Sequence, residues 1–431
     1  MRYPGQVQTA IELLEELQGS QTPADRYMSL FFKKRRYIGS SDKGVVADIT
    51  YTVYRRQGEL RYILEQIGLS ADMPYNLVLV ALYHCFGKTF EEIAEVYEGS
   101  EYSPEALSKH ETDLLKKIDK INMHDAPAPA RANFPEWLEP SLIKSFGDNL
   151  VAEMRALGDR ATTDIRVNTL KASLNGVQKE LKLGGFDMQR TEISPWGLRM
   201  ASRRSLFNSE AFKKGWFEIQ DEGSQLITLA SGVASGMTVV DFCAGAGGKT
   251  LGLSAMMENK GTIYACDTNQ RRLDELPKRV KRSGAGNIRR QLLQTEHAKW
   301  VKRHKNMADV VLIDAPCTGT GTWRRSPDSK WRINEGSLNN LLETQQNIMQ
   351  SAQRMVKVGG RLVYATCSVL QEENQQQIDK FLKTQEGFEV QSVSKFAPEL
   401  KPYETEEGFA CLSPLKSGTD GFFIAILKRT A

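Results

Sequence analysis

Apolar residues recur at helical spacing from Thr9 to about Asn122, most regularly in Ala10-Ile11-Glu12-Leu13-Leu14-Glu15-Glu16-Leu17 and in Leu77 to Tyr83, with Gly and Pro at the breaks. This pattern predicts an all-helical domain over residues 1–125. The prolines of Ala126-Pro127-Ala128-Pro129-Ala130 predict an extended, semi-rigid linker over 126–134. Phe134-Pro135-Glu136-Trp137-Leu138 then opens a mixed region, in which Arg166-Val167-Asn168-Thr169-Leu170 alternates like a strand. A small α/β subdomain is expected over 135–215.

Beyond Gly236 the pattern changes to strands and helices in alternation. Strands are predicted at Thr238–Asp241, Thr262–Asp267, Ile288–Leu293, Val310–Asp314, Arg361–Thr366, Phe388–Val393 and Phe422–Leu427. Helices are predicted at Thr250–Met257, Arg271–Ser283, Leu338–Val356 and Glu372–Leu382. Such alternation specifies an α/β domain, here 216–431, with a doubly wound, largely parallel sheet. Ligands of these sheets sit beyond the carboxyl ends of the strands, so the residues just after each strand carry the interest.

Composition narrows the class. The chain has 431 residues, 40% hydrophobic and 26% charged, which argues against disorder and for a well-buried core. The longest strongly apolar stretch, Leu77 to Phe86, is too short to cross a bilayer and is interrupted by His84. Met1-Arg2-Tyr3-Pro4 has no apolar signal core, so a cytoplasmic protein is expected. Six cysteines in such a chain read as reduced thiols, and the five histidines form no paired ligand spacing, so no metal site is expected. The net charge of +4 is unevenly placed: Arg271 to Arg332 holds 16 Lys/Arg against six Asp/Glu. That run suits a polyanion, with Trp323 and Trp331 inside it as candidates to stack on bases; solvated helix faces and ordinary packing are the alternatives. Lys33-Lys34-Arg35-Arg36 poses the same choice between RNA phosphate and a solvated helix end.

The first strand of the α/β region runs into Asp241-Phe242-Cys243-Ala244-Gly245-Ala246-Gly247-Gly248-Lys249-Thr250, a small-residue turn entering a helix. Its glycines let a ligand approach the backbone and the helix N-terminus. A dinucleotide fingerprint would need Gly where Thr250 stands, and a P-loop would need Gly where Cys243 stands, although Gly248-Lys249-Thr250 and a strand ending in Asp314 keep an NTPase in play. Asp267 follows Gly247 by 20 residues, the spacing at which an acid receives a ribose diol, which suits S-adenosylmethionine as well as NAD.

Two cysteines sharpen the choice. Asp314-Ala315-Pro316-Cys317-Thr318-Gly319 and Tyr364-Ala365-Thr366-Cys367-Ser368 each follow a strand, and if those strands are adjacent and parallel both thiols face one crevice. Carbon 5 of a pyrimidine accepts a methyl group only after activation, and a thiolate adding at carbon 6 provides it. Asp314 is placed to hold the cytosine edge. The residues alone leave open which thiol attacks.

Cys243 to Thr250, Asp267, Asp314 to Gly321 and Thr366-Cys367-Ser368 resemble the motifs of the RsmB/NOP family of RNA cytosine-C5 methyltransferases, as does Gly215-Trp216-Phe217-Glu218-Ile219-Gln220-Asp221-Glu222-Gly223-Ser224-Gln225. The match covers roughly Phe134 to Leu427. The resemblance implies a Rossmann-like methyltransferase sheet, and the helical start is similar to the NusB-like RNA-binding domain of bacterial ribosomal-RNA members. It implies Cys367 as nucleophile and Cys317 as the thiol that helps release the product. It also implies that Cys243, Ala244, Gly245, Ala246, Gly247, Gly248, Lys249 and Asp267 bind S-adenosylmethionine, with Asp314 beside the methyl group and the base. Small-subunit ribosomal RNA is the implied substrate; transfer RNA, or a non-catalytic role in ribosome assembly, are the alternatives. Two positions depart from the family pattern: Ala246 replaces a proline, and Gln294 stands where a third cofactor acid is expected.

Overall fold

A computed structural model describes residues 1–200 and 204–431, which fall into two compact units. One comprises Met1–Arg160 with Trp323–Asn334, the other Ala161–Thr322 with Glu335–Ala431.

The first unit is helical. Its central helix, Pro74–His84, is buried at eight of eleven positions, which explains an apolar run with no polar face. Around it pack Tyr3–Leu17 and Ser40–Ile67 through Val7, Leu14, Val53, Leu60 and Ile63. Capping boxes set the start of two short helices: Thr89 and Glu92 exchange side-chain-to-backbone bonds, as do Ser108 and Glu111.

The proline-rich stretch expected as an extended linker is instead a short helix, Ala128–Ala132, with Pro129, Ala130 and Ala132 buried. Pro127 is the N-cap residue and Pro129 lies in the first turn, where a missing N–H costs nothing. Helices continue through Leu150–Gly158 before the first strand.

Trp323–Asn334 is woven into this unit, which corrects the stacking role considered for its tryptophans. Trp323 is fully buried, and Trp331 Nε1 donates to the Tyr54 carbonyl at 2.7 Å. Lys330 is buried, donating to the Asn133 carbonyl at 3.0 Å, and burial together with Arg55 and Arg56 pulls its ammonium down to about 7. The basic run is therefore partly consumed in packing.

The second unit opens with a four-stranded antiparallel sheet of β1 (Thr163–Val167), β2 (Gln189–Arg190), β3 (Gly197–Met200) and β4 (Phe217–Ile219), in the order β2-β3-β1-β4. Only the last two residues of β1 fall in the segment expected as a strand. Asn168 ends it: its side chain donates to the Gly215 and Ser283 carbonyls and accepts from Leu170 N.

The larger sheet contains β5 (Thr238–Asp241), β6 (Thr262–Asp267), β7 (Ile288–Leu292), β8 (Ala308–Asp314), β9 (Val356–Thr366), β10 (Phe388–Gln391), β11 (Ala410–Leu412) and β12 (Phe422–Arg429). Its order is β10-β12-β9-β8-β5-β6-β7, with β11 on β12. The five strands from β7 to β9 are parallel; β12 runs antiparallel to β9, and β10 antiparallel to β12. This is the expected Rossmann-like sheet. From β5 the chain winds one way to β6 and β7 and later the other way to β8 and β9, which opens a crevice beyond the ends of β5 and β8.

Two helices differ from expectation. Residues 271–283 are split into Gln270–Leu273 and Leu276–Ser283, the second starting with Pro277 in its first turn. The helix expected to end at Val356 ends at Ala352, and β9 begins at Val356, ahead of the Gly359-Gly360 pair.

Candidate active site

The crevice is lined first by the turn after β5. Gly247 has φ +86°, a conformation that favours glycine, and a Cβ there would lie 2.1 Å from Leu276 Cδ1, so any side chain would also displace Leu276. Gly245 has φ +55° and faces open space. The turn is gripped from several sides. Gly245 N donates to Asp267 Oδ2 at 2.7 Å, and Ala244 N to the Cys266 carbonyl at 2.8 Å. Arg279 Nη1 donates to the Ala246 carbonyl at 2.8 Å, while its Nη2 pairs with Glu218 at 2.9 Å. Arg166, buried and carried by β1, donates to the Gly248 carbonyl at 2.8 Å and to Gln220. The smaller sheet thus supports the turn, and Arg279 secures the backbone where Ala246 lacks the ring of a proline.

Asp241 ends β5 fully buried. One carboxylate oxygen accepts from Thr250 Oγ1 at 2.6 Å; the other has no hydrogen-bond partner. Burial pushes this carboxyl up to about 7. Burial also pushes the Cys243 and Cys266 thiols well up, and nearby carboxylates reinforce the effect.

Lys249 reaches across to β8, where its Nζ lies 2.6 Å from Asp314 Oδ2. Thr250 is buried with its hydroxyl committed to Asp241. A P-loop needs this lysine on phosphate and this hydroxyl on magnesium, so the NTPase reading does not fit the geometry. Among the described residues, no cluster of three or more His, Cys, Asp or Glu is arranged to hold a metal.

The thiols meet. β8 and β9 are neighbours and parallel, with Asp314 opposite Ala365, so the residues just after each strand project from one edge. Cys317 Sγ and Cys367 Sγ are 3.4 Å apart, both partly exposed. Their loops are stitched together: Gly321 N donates to the Cys367 carbonyl at 3.0 Å, Val369 N to Thr320 Oγ1 at 2.9 Å, and Thr320 Oγ1 shares a hydrogen with Ser368 Oγ at 3.0 Å.

Glu373 was not singled out by the sequence. It is fully buried, and its Oε1 accepts from Thr318 N at 2.8 Å and Gln345 Nε2 at 3.0 Å, while Oε2 accepts from Thr318 Oγ1. Nothing in Gln371-Glu372-Glu373-Asn374 distinguishes this acid from its neighbour, since burial alone separates them. Gln294 lies exposed two residues beyond β7.

The description "16S rRNA methyltransferase RsmB/F" matches residues 229–428, and a ferredoxin-like domain of RsmF/B-like methyltransferases matches residues 134–206. The ribosomal RNA small subunit methyltransferase B of Pasteurella multocida is 30% identical over 423 residues, spanning 91% of this chain and 89% of that protein. A probable ribosomal RNA small subunit methyltransferase B of Synechocystis is 28% identical over 420 residues, 91% of this chain and 92% of its own. Among solved structures, the crystal structure of PH0851 aligns with 100% of this chain and 99% of its own at 29% identity, with a TM-score of 0.79.

Proposed function

The chain belongs to the RsmB/F family of 16S rRNA methyltransferases, and from that premise we propose that it methylates carbon 5 of a cytosine in small-subunit ribosomal RNA through a covalent bond to Cys367. The observation that carries this reading is the pair of thiols 3.4 Å apart beside the Asp314–Lys249 ion pair, at the switch point of the sheet. A methyltransferase acting on a heteroatom has no need of either thiol.

The turn after β5 fits S-adenosylmethionine. Asp241 Oδ1 is a buried acceptor with no partner, Gly245 leaves the backbone open, and the Gly248–Met256 helix presents free N–H groups. Cys243 to Lys249 and Asp267 would hold it, with Asp267 placed for the ribose. The group supplies a methyl on a cationic sulfur, an electrophile that needs no further activation.

The chain's own residues then work on the base. Asp314, fixed by Lys249, accepts a hydrogen bond from the exocyclic amine of the cytosine. The Cys367 thiolate adds to carbon 6, and the electron pair displaced from the 5,6 double bond makes carbon 5 nucleophilic. Once carbon 5 is methylated, its proton passes to solvent water, since Cys317 already carries its own, the 5,6 double bond re-forms and Cys367 leaves as the thiolate. Cys317 assists that release. The base must be unpaired or flipped out for both faces of the 5,6 bond to be reached.

Exposed Lys33, Lys34 and Arg36 on the helical unit, and exposed Arg271, Arg272, Lys278, Lys281 and Arg289 on the catalytic unit, support contacts to RNA phosphates.

The test is transfer of a labelled methyl to unmethylated 16S rRNA, followed by digestion to nucleosides. Label in 5-methylcytidine is expected. Label in another nucleoside contradicts the cytosine-C5 reading, preference for transfer RNA contradicts the substrate, and RNA binding with no label at all contradicts catalysis.

A further inference from the structure

The paired thiols are alike in residue type, in being partly exposed and in position after a strand, so something around them must make one the nucleophile. The surroundings are not alike. Thr318, directly after Cys317, is bound through both its backbone N–H and its hydroxyl by the Glu373 carboxylate. Glu373 also draws in Gln345 Nε2, whose second contact is the Pro316 carbonyl at 3.0 Å on the other side of Cys317. A single buried carboxylate thereby brackets the Cys317 loop from both ends, and its backbone carbonyl accepts from the buried Tyr364 hydroxyl at 2.8 Å.

We propose that Glu373 is a positioning residue that assigns the roles of the two thiols: it pins the Cys317 loop and keeps the proton shared by the pair on Cys317, leaving Cys367 as the thiolate. The proposal rests on the covalent reading above and explains the order of the thiols, which the sequence leaves open.

The donors around Glu373 fit its ionised form. Thr318 N and Gln345 Nε2 can only donate, so Oε1 is an acceptor twice over. No cation is among the hydrogen-bond partners described for it, so its charge acts on the loop undiluted. Burial is the larger influence and leaves its carboxyl above the ordinary value, with the hydrogen bonds from Ser368, Thr318 and Gln345 opposing it in part. The Cys317 thiol is pushed well up, first by its hydrogen bond with Cys367, then by burial, by the Cys367 charge and by the Glu373 carboxylate. The other titratable groups nearby include Tyr364, whose hydroxyl is held protonated by burial, Cys243, and Asp314, three residues before Cys317 and paired with Lys249. In balance, one proton lies between two sulfurs: Cys317 S–H donates to the Cys367 sulfide, and when Cys367 bonds to carbon 6 the proton stays on Cys317.

The test uses the full chain without RNA or S-adenosylmethionine, so its outcome does not depend on the reaction. Iodoacetamide alkylation of each cysteine is followed by peptide mass spectrometry across pH 6–10. In the wild type, Cys367 is expected to gain reactivity at lower pH than Cys317. In Glu373→Gln, which keeps the shape and removes the charge, the thiolate fraction of Cys317 at fixed pH should rise by about tenfold and the gap should narrow. A purely structural role would lower the melting temperature of the variant and leave the gap unchanged, which overturns the proposal. If Glu373→Gln does not fold, the wild-type titration still decides, because Cys317 reacting at lower pH than Cys367 also overturns it. Failure of Cys367→Ala to abolish methylation would instead strike the covalent reading, whatever the titration gives.

Discussion

The two halves of the crevice are held by opposite means. The turn after β5, proposed to take the cofactor, is gripped by charge: Arg166 and Arg279 reach in from neighbouring elements to bind its carbonyls, and Asp267 binds its N–H. The thiol loops after β8 and β9 are held by hydroxyls, amides and a single buried carboxylate, with no arginine or lysine among the bonds that join them. The roles proposed for the two halves account for the difference. A turn that receives a charged ligand through its backbone tolerates permanent charge behind it, whereas a cation bonded to either thiol loop would favour both thiolates at once; the lysine of this site, Lys249, is paired with Asp314 instead.

The largest effect that sharpens this comparison is on the thiol side. Cys367→Ala should lower methyl transfer by at least ~10⁴-fold with cofactor affinity unchanged, measured by label transfer and by calorimetric titration. Asp314→Ala, at the boundary of the two halves, should cost about 10²- to 10³-fold in kcat, since it removes a charge aimed at the base. Retained kcat with raised KM would place Asp314 on binding alone.

Arg279→Met should weaken S-adenosylmethionine by about tenfold while leaving the alkylation profile of Cys317 and Cys367 as it is, because a charge-assisted bond to the Ala246 carbonyl is lost and the thiols are held independently. Glu218 keeps Arg282 as a partner, so folding should survive. A changed thiol profile in this variant would break the separation of the halves.

The smallest effect concerns Asp241. Its carboxyl ionises near 7 when folded and near its ordinary value of 3.8 when unfolded, so the unfolded chain releases the proton first. Stability contributed by the protonated form is full below the unfolded value and is lost as pH rises towards 7. Asp241→Asn removes this loss, so the variant's melting temperature should fall less than the wild type's between pH 5 and pH 8. Parallel curves would show that Asp241 is ionised in the folded protein.

What could be read from the sequence follows the same division. β5 and β6 lie where their β-branched and apolar runs end in acids, and the glycine spacing singled out a turn that does bond to Asp267, through Gly245 N. The adjacency of β8 and β9 follows from the order of a doubly wound sheet, and the thiols met as a result. Less legible were elements whose logic is buried polarity. The first half of β1 carries Asp164, which is buried against Arg199, and no hydrophobic alternation marks it. Glu373, Arg166 and Arg279 carry no local signal, since each matters through a partner distant in the chain. The prolines of 127 and 129 signalled a linker because, without the buried surface around them, the first turn of a helix and an extended segment look the same.

The central claim is that Cys367 bonds to the base and Cys317 frees it. Incubating Cys317→Ala with S-adenosylmethionine and unmethylated 16S rRNA, then running a denaturing gel, tests it most directly. A slow-migrating protein–RNA adduct in Cys317→Ala, absent from Cys367→Ala, is the expected result; an adduct in Cys367→Ala and none in Cys317→Ala would contradict it.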